Sequence, residues 1–204
     1  MAKNAGDVIL RDRMQFDLDA NGDRTTLYGR IDLSSYVNTV SREGLAIKQV
    51  YFQLRDPLAA GSLSNTGCFQ PVGDWASTST TAGVTSALKI YATTRAYENA
   101  AEVAIGSPDV LCVQEWLSSI GKAPLGAATD GNAAPLALEK YWYGPEDLHP
   151  EGYTVVSDLL IGVAADGWVT LNDRTVELDI VLIAEPIKIS TDRMNAILSQ
   201  AQDL

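Results

Sequence analysis

The stretch Phe16-Asp17-Leu18-Asp19-Ala20-Asn21-Gly22-Asp23-Arg24, FDLDANGDR, admits two readings that lead to different folds. Asp17, Asp19, Asn21 and Gly22 match the front half of a helix–loop–helix calcium loop, in which alternate oxygen side chains surround a cation and glycine makes the sharp turn. That loop needs a bidentate glutamate at its twelfth position, which here is Tyr28. It also needs a helix on each side, and the flanks alternate instead. Val8, Leu10, Met14, Phe16 and Leu18 share one parity against Arg11, Arg13, Gln15 and Asp17. Beyond the turn, Leu27, Gly29, Ile31 and Leu33 alternate with Thr26, Tyr28, Arg30 and Asp32. Period-two alternation marks half-buried strands, and Asn-Gly between two of them is the strongest short hairpin signal. The stretch is therefore expected to be a β-hairpin turn over Asp19–Asp23. Asp17, Asp19 and Asp23 remain weak candidates for a surface cation, and no committed metal site is expected.

Strand signals recur outward from this point. Ser34 to Gly44 carries a front serine, a rear arginine and a closing glycine, which predict a short helix. Ala46, Val50, Phe52 and Leu54 then alternate with Ile47, Gln49, Tyr51, Gln53 and Arg55, a strand stopped by Asp56-Pro57. The zone from Pro57 to Pro150 holds seven of the eight prolines and nine of the sixteen glycines, so loops are expected to dominate it. Within it, Ala87 to Thr94 reads as a strand. Pro108 to Ile120 reads as a helix, with Ser107 as cap, Pro108 in the first turn, and Val110, Val113, Leu117 and Ile120 at helical spacing. Strands return at Tyr153–Val156, Asp158–Ala165 and Thr175–Ala184, with turns at Asp166-Gly167 and Asn172-Asp173. Ser190 or Thr191 caps a closing amphipathic helix through Met194, Ile197 and Leu198. Strands at both ends without regular strand–helix alternation predict a mostly β fold: an antiparallel β-sandwich with long loops and a few short helices. One domain over residues 1–204 is expected, with a loop-rich insertion at about 57–150.

Composition narrows the function. Fifteen basic against twenty-six acidic residues give a net charge of -11, with no Lys/Arg cluster, which argues against direct nucleic-acid binding. No apolar run reaches transmembrane length, and Met1 to Asp7 lacks the apolar core of a secretory leader, so export by that route is not expected. Cys68 and Cys112 have no metal-ligand spacing and are expected to be buried free thiols. The sequence has no nucleophile elbow, phosphate loop, dinucleotide fingerprint or H-E-x-x-H. Its one histidine, His149, lies in a proline-flanked loop with Glu146, Asp147 and Glu151 and is expected to be a turn residue. Those acids follow the aromatic run Tyr141-Trp142-Tyr143, which would suit a sugar platform, except that neighbouring residues on a strand face opposite ways. No catalytic residue and no cofactor are expected.

The early turn at Phe16–Arg24, the strand Leu45–Arg55 ending in Asp-Pro, the Pro/Gly-rich middle and the closing strand Thr175–Ala184 before a short tail together resemble the single jelly-roll coat proteins of tailless icosahedral viruses. The resemblance implies a single jelly roll and a structural role in the virion, as a major capsid protein whose copies assemble with each other and with other capsid proteins. Coat proteins that package RNA directly often carry a basic N-terminal arm, and here that position holds only Lys3. The resemblance is thus to the type whose shell encloses a membrane or another inner layer rather than gripping the genome. Leu58, Phe69, Trp75, Leu125 and Trp142, apolar residues of the middle zone, are the candidate subunit contacts, because ordering loop residues costs on the order of 1 kcal/mol each and apolar side chains there gain little in a monomer. A spike or accessory virion protein, a carbohydrate-binding sandwich and, third, a β-sandwich enzyme are the competing expectations.

Overall fold

The computed structural model describes residues 6–55, 83–120, 135–168 and 172–200, with side chains described except at 83–85, 118–120, 135–143 and 200. Among the described residues, nine strands and two α-helices follow in chain order: β1 (Val8–Asp17), β2 (Arg24–Ile31), β3 (Glu43–Arg55), β4 (Gly83–Thr93), β5 (Val110–Ile120), β6 (Pro135–Tyr143), α1 (Pro145–Leu148), β7 (Tyr153–Val155), β8 (Leu159–Asp166), β9 (Thr175–Lys188) and α2 (Thr191–Gln200). The strands form a four-stranded sheet, β1-β9-β3-β7, and a five-stranded sheet, β2-β8-β4-β5-β6, and every pairing is antiparallel. Consecutive strands cross repeatedly from sheet to sheet, and the first strand lies beside the last. This strand order makes the β-sandwich a jelly roll with one extra edge strand, β6.

Alternation explains the core. Phe16, Leu54, Leu178, Ile180 and Leu182 point inward from the four-stranded sheet and meet Leu88, Ile90, Ile161 and Val163 of the other. A second cluster lies on the far face of the five-stranded sheet, where Tyr91, Val110 and Val113 are covered by Ala100 and Val103 from the β4–β5 connection. The Tyr28 hydroxyl stands 2.7 Å from that of Tyr91 and accepts from the Tyr97 amide at 2.7 Å. Burial pushes the Tyr91 phenol far up, so it stays protonated. The hydroxyl end of its ring lies against Gly162, where an added Cβ would come within 2.2 Å of it.

Five expectations are corrected. Residues 16–24 turn the chain, but β1 and β2 are not a hairpin. β1 pairs with β9 and β2 with β8, so the turn carries the chain between sheets. Residues 34–44 hold no helix: the Asn38 carboxamide accepts from the amides of Val40 and Ser41, and Asn38 bridges Glu43, with β-branched Val37, Thr39 and Val40 adding little helical preference. Residues 110–120 form a strand and not a helix. Val110 to Val113 is apolar throughout because both faces of β5 are covered, and a doubly buried strand imitates helical spacing. In β3, Leu45 and Ile47 share a face with Val50 and Leu54, because the register shifts between Ile47 and Gln49 and leaves Lys48 as the extra residue. The middle zone is also richer in structure than its prolines predict, supplying β4, β5 and β6.

Candidate functional site

The Asp-rich turn is tied into the fold by its own carboxylates. Asp19 Oδ1 accepts from the amides of Asn21 and Asp23 at 2.8 and 2.9 Å, an arrangement in which a side chain does the work of a turn. Asp23 Oδ1 accepts from the Gly167 amide at 2.6 Å, and Asp17 Oδ1 from the Thr175 hydroxyl at 2.6 Å. Backbone bonds from Leu18 to Arg174 and from Asp173 to Asp19 complete the lacing to the β8–β9 connection. The three acids therefore serve four different protein donors. Among the described residues, no group of three histidine, cysteine or acidic side chains is placed to hold a metal.

The most ordered polar arrangement lies on the outer face of the four-stranded sheet, where odd-numbered positions of β1, β9 and β3 form rows. Arg13 lies beside Asp179, and Arg13 and Arg55 both approach Glu177, at 3.6 and 3.5 Å. Gln15 donates to Glu177 at 2.8 Å, which accounts for a carboxylate only 8% exposed. Two rows of apolar character follow: Arg11–Val181–Tyr51 and Ile9–Ile183–Gln49. Ile9 is 52% exposed and Tyr51 50%. Lys48, extruded by the bulge, closes the face between Asp7 at 2.6 Å and Glu185 at 2.8 Å. Hydrogen bonds to Asp7 and Glu185 push the Lys48 ammonium up, so it stays charged and is no nucleophile.

Beside Lys48 the face dips into an open cleft of about 1040 Å³. Its floor is Ala46, Glu185 and Ile187, one wall is α2 with Arg193 and Ile197, and the other is Ile105–Pro108 with Leu148–Glu151. Ser190 caps α2 by accepting from the Arg193 amide at 3.3 Å, and Val156, Ile189 and Met194 seat the helix. Opposite, the Tyr153 hydroxyl donates to the Pro108 carbonyl at 2.9 Å, holding β7 against the β4–β5 connection. His149 Nδ1 accepts from the Glu151 amide at 3.1 Å, leaving Nε2 outward. Among the described cleft residues no nucleophile is set against a base. The cleft offers cations, acids and an apolar rim of Ile105 and Leu148.

Of the residues singled out in the sequence, Leu58, Phe69, Trp75 and Leu125 lie outside the described residues, as does Cys68. Trp142 lies in β6, whose side chains are not described. Cys112 is a free thiol in the core, pushed up to about 12 by burial. Glu146 and Asp147 lie in α1, where Asp147 Oδ2 accepts from the Gly144 amide at 2.9 Å. Sequence reading missed the apolar rows of the outer face. The signal was in β9: its outward positions change from Glu177 and Asp179 to Val181 and Ile183.

No family model, curated protein or solved structure matches the chain. Among the described residues no helix is long and apolar enough to cross a membrane.

Proposed function

We propose that the chain is a structural virion protein, a major capsid protein whose copies close into an icosahedral shell. The observation that carries this reading is where the large exposed apolar side chains sit. Among the described residues six large apolar side chains are exposed: Ile9 and Tyr51 lie on the outer sheet face, and the other four, Val40, Ile105, Leu148 and Leu198, are 92%, 58%, 46% and 38% exposed. All four lie on segments outside the strands: the β2–β3, β4–β5 and β6–β7 connections and α2. The strand register brings these segments to one end: β3 begins and β9 ends there, as Glu43 pairs with Lys188, and β4 ends there as β5 begins, as Thr93 pairs with Val110. A lone subunit gains nothing from apolar side chains in water; neighbouring copies would bury them. The jelly roll supplies a rigid block with contact-bearing connections at its ends. The charge of -11 keeps free subunits apart, makes assembly depend on screening by salt, and suits a shell that encloses an inner layer without gripping nucleic acid.

The double substitution Ile105→Asp, Leu148→Asp tests this. Each lost apolar contact is worth about 1.5–3 kcal/mol, so the concentration needed for assembly should rise by at least ~100-fold while the far-ultraviolet circular dichroism stays unchanged. Sedimentation velocity reads both species. Assembly of the double variant at the wild-type concentration would overturn the reading.

A further inference from the structure

We infer that the outer face of the four-stranded sheet docks a second copy of this chain in one register, with a two-fold axis lying in the face along the row Ile9–Ile183–Gln49. The inference rests on the self-association reading only for the identity of the partner.

Charge selects the partner. Over the rows from Asp7 to Gln15, the face carries four basic residues, Arg11, Arg13, Lys48 and Arg55, against four acidic ones, Asp7, Glu177, Asp179 and Glu185. It is formally neutral in a chain of net charge -11, so the rest of the molecule bears the whole excess. Two copies can approach through this face without net charge repulsion across it, and an apolar strip crosses its middle.

The distribution within the face selects the register. The ion pairs Arg13–Asp179 and Arg55–Glu177 balance at one end. At the other, Lys48 is shared by Asp7 and Glu185, leaving one negative charge in surplus. Arg11 lies between, and among the described residues it has no ion-pair partner. A two-fold axis perpendicular to the strands at the Ile9 row exchanges positions equally far along β1 on either side of it. Arg11 of one copy then stands over Asp7 of the other, Val181 over Glu185, and Tyr51 over Lys48, which sets an ammonium against an aromatic face. Each copy's surplus cation meets the other's surplus anion, twice, as an isologous contact requires. Ile9 and Ile183 meet their own counterparts on the axis. Only the rows of Asp7, Ile9 and Arg11 overlap their counterparts, and strands about 4.8 Å apart with outward positions about 6.8 Å apart make this three-strand contact about 15 by 20 Å, below the ~800 Å² per partner of a standard interface. The contact is therefore dissociable and acts as one of several in an assembly.

Register makes the test specific. In a Cys68→Ser background, Ile9→Cys should form a reducible covalent dimer under mild oxidation of free subunits at moderate ionic strength, just below that at which shells form, because residues on the axis face each other as do cysteines that bridge two packed sheets. Gln53→Cys, four positions along β3 from the axis, should stay monomeric. Adding Arg11→Glu to Ile9→Cys should lower the cross-linking rate about tenfold. Equal cross-linking of both cysteines, or none by Ile9→Cys, would overturn the register and the face respectively. Shells that form from wild-type chain while Ile9→Cys never cross-links would remove this contact and leave the capsid reading standing; cross-linking without shells would do the reverse.

Discussion

Gly152→Val should cost about 3 kcal/mol or more of stability and should free β7 from the four-stranded sheet. Gly152 has φ +85, where a β-branched side chain is strained by about 1–2 kcal/mol. A Cβ there would lie 2.5 Å from the carbonyl oxygen of Ile47 and 2.9 Å from its carbon. That backbone cannot yield, because Ile47 is paired with Tyr153 on one side and Ala184 on the other. Overpacking of this kind typically adds 1–3 kcal/mol. The conflict is relieved most cheaply by letting go of β7, which has three residues and a single neighbour, β3. Urea titration reads the total, and amide exchange at Tyr153 and Val155 reads the detachment. Wild-type stability with protected amides would show that the approach of residue 152 to β3 is not as close as described.

Leu178→Ala should cost about 2–5 kcal/mol, and Val181→Ala less than about 1 kcal/mol. The two positions are three apart on β9, the strand between β1 and β3, and point to opposite sides of the sheet. Leu178 is 0% exposed inside the sandwich, whereas Val181 lies on the outer face beside Tyr51. The contrast distinguishes the two faces through the same strand, so differences in the unfolded chain matter little. Equal costs by chemical denaturation would mean that the outer face is already covered in the monomer.

The sandwich was legible wherever one face is buried and the other wet, as in β1, β2, the far half of β3 and the first half of β9. It was illegible in β5, because covering both faces removes the alternation and leaves an apolar run that fits a helix equally well. Residues 34–44 misled for a different reason: serine, asparagine and glycine cap turns as readily as helices, and Asn38 spends its carboxamide on the turn. The partner of each strand was beyond reach. Alternation locates a strand's faces and says nothing of its neighbour, so the Asp-rich turn was read as joining β1 to β2 within one sheet. What pins it is the β8–β9 connection, some 150 residues onward, through Gly167 and Thr175. The outer-face rows exist only once β1, β9 and β3 are set side by side, since Arg13, Asp179 and Arg55 are remote in sequence and adjacent only through register. The exposure of Ile105 and Leu148 was equally hidden, because an apolar residue in a loop has no periodicity to report its face.

Electron microscopy of the purified chain, imaged as ionic strength is raised from a few millimolar to molar, tests self-assembly most directly. Closed particles of one diameter, appearing as screening offsets the charge of -11, are the expected result. A chain that remains monomeric at every concentration and ionic strength would contradict it.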